Sequence, residues 1–263
     1  MLHESLDLLA EVEEFHDFLL TLDESEWQKS TGFMNWTPWD VVAHLHYFDL
    51  VSQTALEGGA PFKARQDALI RSIGKGMTNA QIAREEFGEI APVELLDRWL
   101  TTCRTMATEL GESDPKRRLP WFGPDMGVRM FTTARYMETW AHSQEVYDLK
   151  GAKRTYNDRI KNVAAIGIRT FGWTFVNRKL EVPGAPPYVR LDAPSGAIWE
   201  WNDPSEEEYI RGDAAEFCHV VTQGRNVEDT GLEVVGAVPS QWMAIAQCFA
   251  GGPVDPPKPG ERN

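Results

Sequence analysis

The chain is short of cysteine, of basic residues and of long apolar runs, and each shortage removes a class of function. Cys103, Cys218 and Cys248 are the only cysteines in 263 residues, and none sits in a Cys-x-x-Cys pair. Neither a disulfide framework nor a catalytic thiol is expected from so few, so widely spaced; they read as reduced, buried residues. Lysine and arginine number 26 against 40 aspartates and glutamates, a formal net charge of -14. That balance argues against nucleic acid, a nuclease activity or an anionic membrane surface, and for a small-molecule partner. No apolar run reaches the roughly 18 residues of a membrane span, and Met1-Leu2-His3-Glu4-Ser5 lacks the basic and apolar regions of a signal peptide. A soluble, cytoplasmic protein is expected. No internal repeat is visible.

Helical periodicity is abundant. With 42% hydrophobic residues there is material for one large core or two ordinary ones. Leu8, Leu9, Val12, Phe15, Leu19 and Leu22 predict an amphipathic helix from Glu4 to Leu22. Thr37 is placed to cap a second helix, with Pro38 first and Asp40 third, running to about Leu56 and carrying His44 among Val41, Val42, Leu45 and Phe48. Residues 60–90 predict a helix interrupted by Gly74-Lys75-Gly76. A third long helix follows Pro92 and stops at Gly111, and a fourth runs from Val128 to Leu149, ending before Gly151; between them, residues 114–127 form a loop with Trp121 and Phe122. Four long helices suggest a four-helix bundle over residues 1–152. Residues 153–252 change character and predict a smaller α+β domain. Its expected parts are a helix from Asp158 to Asn177, a hairpin around Pro194-Ser195-Gly196, a capped helix from Asp213 through Val221, a strand at Leu232–Gly236 and a helix from Ser240 to Phe249. Residues 253–263 hold four prolines and no apolar period, which predicts a flexible tail.

On the fourth helix Glu138 and His142 lie four residues apart, hence on one face a turn from each other. Such a pair is either an exposed surface couple or two ligands of one ion. His44 is the best third ligand and His46 the reserve, though a histidine among Val42, Leu45 and Phe48 also fits a hydrogen-bonded core. Two imidazoles and a carboxylate suit a divalent metal, Zn²⁺ first, with Fe²⁺, Ni²⁺ and Co²⁺ also accommodated; three ligands leave positions open for water or substrate. Trp36, Trp39, Trp121 and Trp140 are either pocket walls or core.

The run Trp36-Thr37-Pro38-Trp39-Asp40-Val41-Val42-Ala43-His44-Leu45 resembles the W-T-x-x-D-V-x-A-H-L signature of the DinB-like superfamily, in its mycothiol-dependent maleylpyruvate isomerase branch. Arg135 through Glu145 is similar to that family's R-x-x-E-x-x-x-H-x-x-D, with Glu145 in place of the aspartate. The resemblance implies a DinB-like four-helix bundle in which His44, Glu138 and His142 hold a metal. It implies further that a low-molecular-weight thiol such as mycothiol adds, as thiolate, to a small electrophilic and acidic substrate, which is then isomerised or carried off by transfer. Residues 213–236 are similar to the family's sterol-carrier-like C-terminal domain, and Arg225 falls where an arginine holds the acidic substrate or the thiol. Arg135 and Arg129 are further candidate anchors. The alternatives are a non-catalytic, metal-containing protein that holds a small molecule or acyl ligand, and a non-haem iron oxygenase built on the same ligand type.

Overall fold

A computed structural model describes residues 1–262. The chain divides into two compact units, the first spanning Met1–Ala152 and the second beginning at Lys153.

In the first unit α1 (His3–Leu19), α2 (Pro38–Glu57), α5 (Pro92–Glu112) and α6 (Val128–Lys150) form a four-helix bundle, touching in the ring α1, α5, α2, α6. The apolar stripes read from the sequence meet inside it: Leu8, Val12 and Leu19 of α1, Val41 and Leu45 of α2, Leu95 and Trp99 of α5 are fully buried. α2 starts where its residues dictate. The Thr37 hydroxyl accepts from the Asp40 amide while the Asp40 carboxylate accepts from the Thr37 amide, a reciprocal cap ahead of Pro38. The polar stretch after α2 holds α3 (Gly59–Gly74) and α4 (Asn79–Phe87), both against α2; the break falls at residues 75–78, overlapping the one expected at Gly74-Lys75-Gly76. Gly111 does not end α5 as its identity suggests. A Cβ there would lie 2.4 Å from the Ser5 hydroxyl, so the glycine serves the close approach of α5 to the start of α1. Gly151 does cap α6, at φ 64°. The loop after α5 folds back as a two-residue antiparallel ladder, β1 (Arg118–Leu119) against β2 (Met126–Gly127).

The second unit is α+β. A four-stranded mixed sheet runs in the order β4, β3, β5, β6, where β3 is Tyr188–Asp192, β4 Ile198–Trp201, β5 Tyr209–Asp213 and β6 Glu233–Val235. The expected hairpin is β3 and β4, with Val189 opposite Trp201 and Asp192 opposite Ile198. β5 lies parallel to β3 and was not foreseen, because its end merges into the Asp213 cap of α9 (Ala214–Val221). Val189, Leu191 and Ile210 point to one face and are fully buried, and α9 packs on those strands with α7 (Lys161–Arg169) beside it. The helix expected from Asp158 to Asn177 is broken into a 3₁₀ turn, α7, and α8 (Phe171–Asn177). The break falls at Thr170, whose hydroxyl donates back to the Ile166 and Gly167 carbonyls. The last helix, α10, is Ala237–Met243, earlier and shorter than expected, with Pro239 tolerated in its first turn. Among the described residues the segment after Gly252 carries no regular element, and it makes hydrogen bonds to the rest of the unit: Gln247 accepts from the Val254 amide, Asn226 donates to the Pro257 carbonyl and Asp229 accepts from the Gly260 amide. Among the described residues no helix is long and apolar enough to cross a membrane.

Candidate metal centre

His44 sits mid-way along α2, and Glu138 and His142 sit one turn apart on α6, the neighbouring helix of the ring. The structure brings one donor atom of each within 4.8 Å of the others. Glu138 Oε2 lies 3.8 Å from His44 Nε2 and 3.5 Å from His142 Nε2. Both separations exceed an ordinary hydrogen bond. They approach instead the distance of about 3.4 Å between neighbouring donors on a tetrahedron with bonds of about 2.1 Å, so the donor set fits a small divalent ion. The site is recessed but reachable: the side chains of His44 and His142 are 8% and 13% exposed and that of Glu138 25%.

The protonation states suit metal ligands. Burial pushes His44 down to about 4, and the nearby Glu138 carboxylate opposes this only in part. Burial pushes the Glu138 carboxyl up, but His142 and His44 outweigh it and hold the group well below the usual carboxylate range. A neutral imidazole and an ionised carboxylate are the ligating forms.

Aromatic rings wall the cluster. Trp36 stacks on His142 at 5.5 Å between centroids and lies 4.8 Å from His44. Phe33 meets the edge of His142 at 5.2 Å and Phe48 lies 4.9 Å from His44. Phe33 and Trp36 reach His142 from a tight turn in which the Trp36 amide donates to the Phe33 carbonyl, with Met34 and Asn35 at φ 49° and 56°. Left-handed conformation at a methionine costs roughly 1 kcal/mol, strain of the kind found at functional sites. Trp121 belongs to the same wall at one remove, through Phe48, whereas Trp39 donates to the Ile90 carbonyl and Trp140 is core. Phe33 has no signal in the sequence, and Phe48 reads there only as part of the core around His44. Its place in the wall could have been found, since it lies one helical turn after His44.

His46, the reserve ligand, is stacked on Phe87 at 4.6 Å and is not in the cluster. Arg135 is not available as an anchor: its guanidinium is buried against Asp49, at 2.8 Å. Arg129 is exposed and faces Glu4 at 3.4 Å. Arg225 belongs to the second unit, partly buried just past α9, where it donates to the Gly224 carbonyl.

The model of the mycothiol maleylpyruvate isomerase N-terminal domain matches residues 8–147, more than half of the chain. The chain belongs to the mycothiol maleylpyruvate isomerase-like family. All three cluster residues fall inside the matched span. Two relatives from different strains of Mycobacterium tuberculosis, both described as uncharacterized proteins, are each 33% identical over 247 residues, 94% of this chain and 95% of theirs. A crystal structure of mycothiol-dependent maleylpyruvate isomerase shares the fold, with a TM-score of 0.54 at 14% identity over 82% of this chain and 86% of that one. A histidine-to-alanine mutant of that enzyme matches to the same degree. The shared fold extends beyond the bundle, since the bundle ends at Ala152.

Proposed function

We propose that this family member is a metal-dependent enzyme that uses a low-molecular-weight thiol of the mycothiol kind to isomerise, or transfer the thiol to, a small electrophile. The observation that carries the reading is the convergence of His44, Glu138 and His142 at donor distances, inside a family whose name joins mycothiol to an isomerase. A divalent ion, Zn²⁺ by preference of the ligand set, would be held by His44, Glu138 and His142 and would make a thiol acidic enough to serve as thiolate at neutral pH.

The chain's own residues do the rest. Glu138 stays ionised and His44 neutral, so neither proton needs to be displaced near pH 7. Trp36, Phe33 and Phe48 exclude water from the side of the cluster they cover and offer flat apolar faces to a conjugated substrate. On the resemblance of residues 213–236 to the family's C-terminal domain, Arg225 is the residue we assign to an acidic substrate group. The test is thiol consumption by a metal-loaded preparation, with mycothiol and either maleylpyruvate or a panel of conjugated and alkylating electrophiles. Turnover that is lost in His142→Ala supports the reading. Inertness across the panel, with tight retention of an apolar ligand, would favour a carrier instead.

A further inference from the structure

The Arg135 guanidinium, a candidate substrate anchor from sequence, is locked by partners within the bundle. Its Nε and one terminal nitrogen donate to Asp49 Oδ1 at 3.0 and 2.8 Å, and that terminal nitrogen also reaches the Leu45 carbonyl at 3.4 Å. The second carboxylate oxygen, Oδ2, accepts from Trp99 Nε1 at 3.1 Å. Arg135 and Asp49 are 3% and 2% exposed, and Trp99 is fully buried. The three residues come from α6, α2 and α5, so three helices of the bundle are joined at one point.

That point is next to the donor cluster on both helices that build it. Arg135 precedes Glu138 by three residues and His142 by seven, on one face of α6. Leu45, whose carbonyl it reaches, follows His44 directly on α2. The separation of His44 from Glu138 depends on how far α2 is slid and rotated against α6, and apolar packing tolerates small slips of that kind. A two-pronged guanidinium on a carboxylate, with the indole fixing the other oxygen, does not.

We infer that Asp49, Arg135 and Trp99 are positioning residues for the metal centre: they set the register of α2 against α6 and thereby the donor spacing. The inference rests on the proposed metal site and concerns no direct contact with the ion.

The test uses the full-length protein and Asp49→Asn. An amide has one acceptor oxygen where the carboxylate has two, so either Arg135 or Trp99 loses its partner while size is kept. Zn²⁺ affinity is measured by competition with a chromophoric chelator, and donor geometry by the visible spectrum of the Co²⁺-loaded protein. The expected result is a loss of affinity on the order of 10- to 100-fold, the range typical of residues that support ligands, together with a changed Co²⁺ spectrum. Trp99→Phe keeps the buried ring but removes the donor. It is expected to shift both readouts in the same direction, and it decides the question if Asp49→Asn does not fold. A merely structural role would lower the unfolding midpoint yet leave affinity and Co²⁺ spectrum of the folded protein as in wild type, and that result overturns the inference. His44→Ala separates the two levels. If it loses the metal while the folded Asp49 or Trp99 variant binds as wild type, the positioning role fails alone; if His44→Ala binds Zn²⁺ as wild type does, the metal site itself is wrong.

Discussion

Acid should loosen the second unit through His219. The ring is 8% exposed, its Nε2 lies 2.8 Å from the Tyr156 hydroxyl, and Arg225 and Arg154 stand near it. Burial first, and then those two cations, push it down to about 3 from its ordinary 6.5. A histidine with a depressed folded pKa binds its proton more readily in the unfolded chain. Stability is therefore full above the unfolded value and falls as the pH drops through 6.5 toward 3. Between about pH 7.5 and pH 5 the chain crosses roughly 1.5 pH units of that window, a loss of about 2 kcal/mol from this group. His219→Gln removes the titration and leaves an amide that can still meet the Tyr156 hydroxyl. Urea unfolding of both proteins at several pH values, with the second unit's transition assigned by hydrogen exchange in α9, isolates the effect, because every other titrating group is common to the two. The variant should lose about 2 kcal/mol less than wild type over that range. Equal losses would refute the reasoning, since His219 would then not be held neutral.

Further expectations follow from single sites. Asp40→Ala removes the carboxylate half of the reciprocal cap of α2, leaving the Thr37 hydroxyl on the residue-40 amide, and takes away an acceptor that Arg84 reaches at 2.8 Å; it should lower stability by about 2 kcal/mol in urea unfolding. Gly236→Ala puts a Cβ 2.3 Å from the Glu208 carboxylate at φ 101°, and should lower the unfolding midpoint of the second unit by at least about 1 kcal/mol of stability. Arg225→Ala should raise KM for an acidic substrate while metal content by elemental analysis stays at the wild-type level, and unaltered kinetics would remove its assigned role.

Features set by near neighbours in the chain were legible from the residues. The cap of α2 needs only Thr37, Pro38 and Asp40, and the shared face of Glu138 and His142 needs only the helical period. His44 was legible at one remove, because its motif placed it on a second bundle helix. What escaped depends on contacts between distant parts of the chain. Asp49 and Arg135 are 86 residues apart, and an arginine in a motif reads as a ligand-facing group until its partner is seen. Gly32 and Asn35 mark a turn, but that Met34 and Asn35 both take left-handed backbone there and that Phe33 meets His142 depend on the folded chain. Gly111 misled for a related reason: glycine signals a helix end and a close helix approach equally, and only the packing against Ser5 distinguishes them.

Elemental analysis of dialysed wild type, His44→Ala and His142→Ala, prepared side by side, is the measurement nearest to the three converging donors. About one divalent ion per chain in wild type, with little in either variant, is the expected result. Equal metal content in all three proteins, or none in wild type after exposure to Zn²⁺, would contradict a metal centre built from His44, Glu138 and His142.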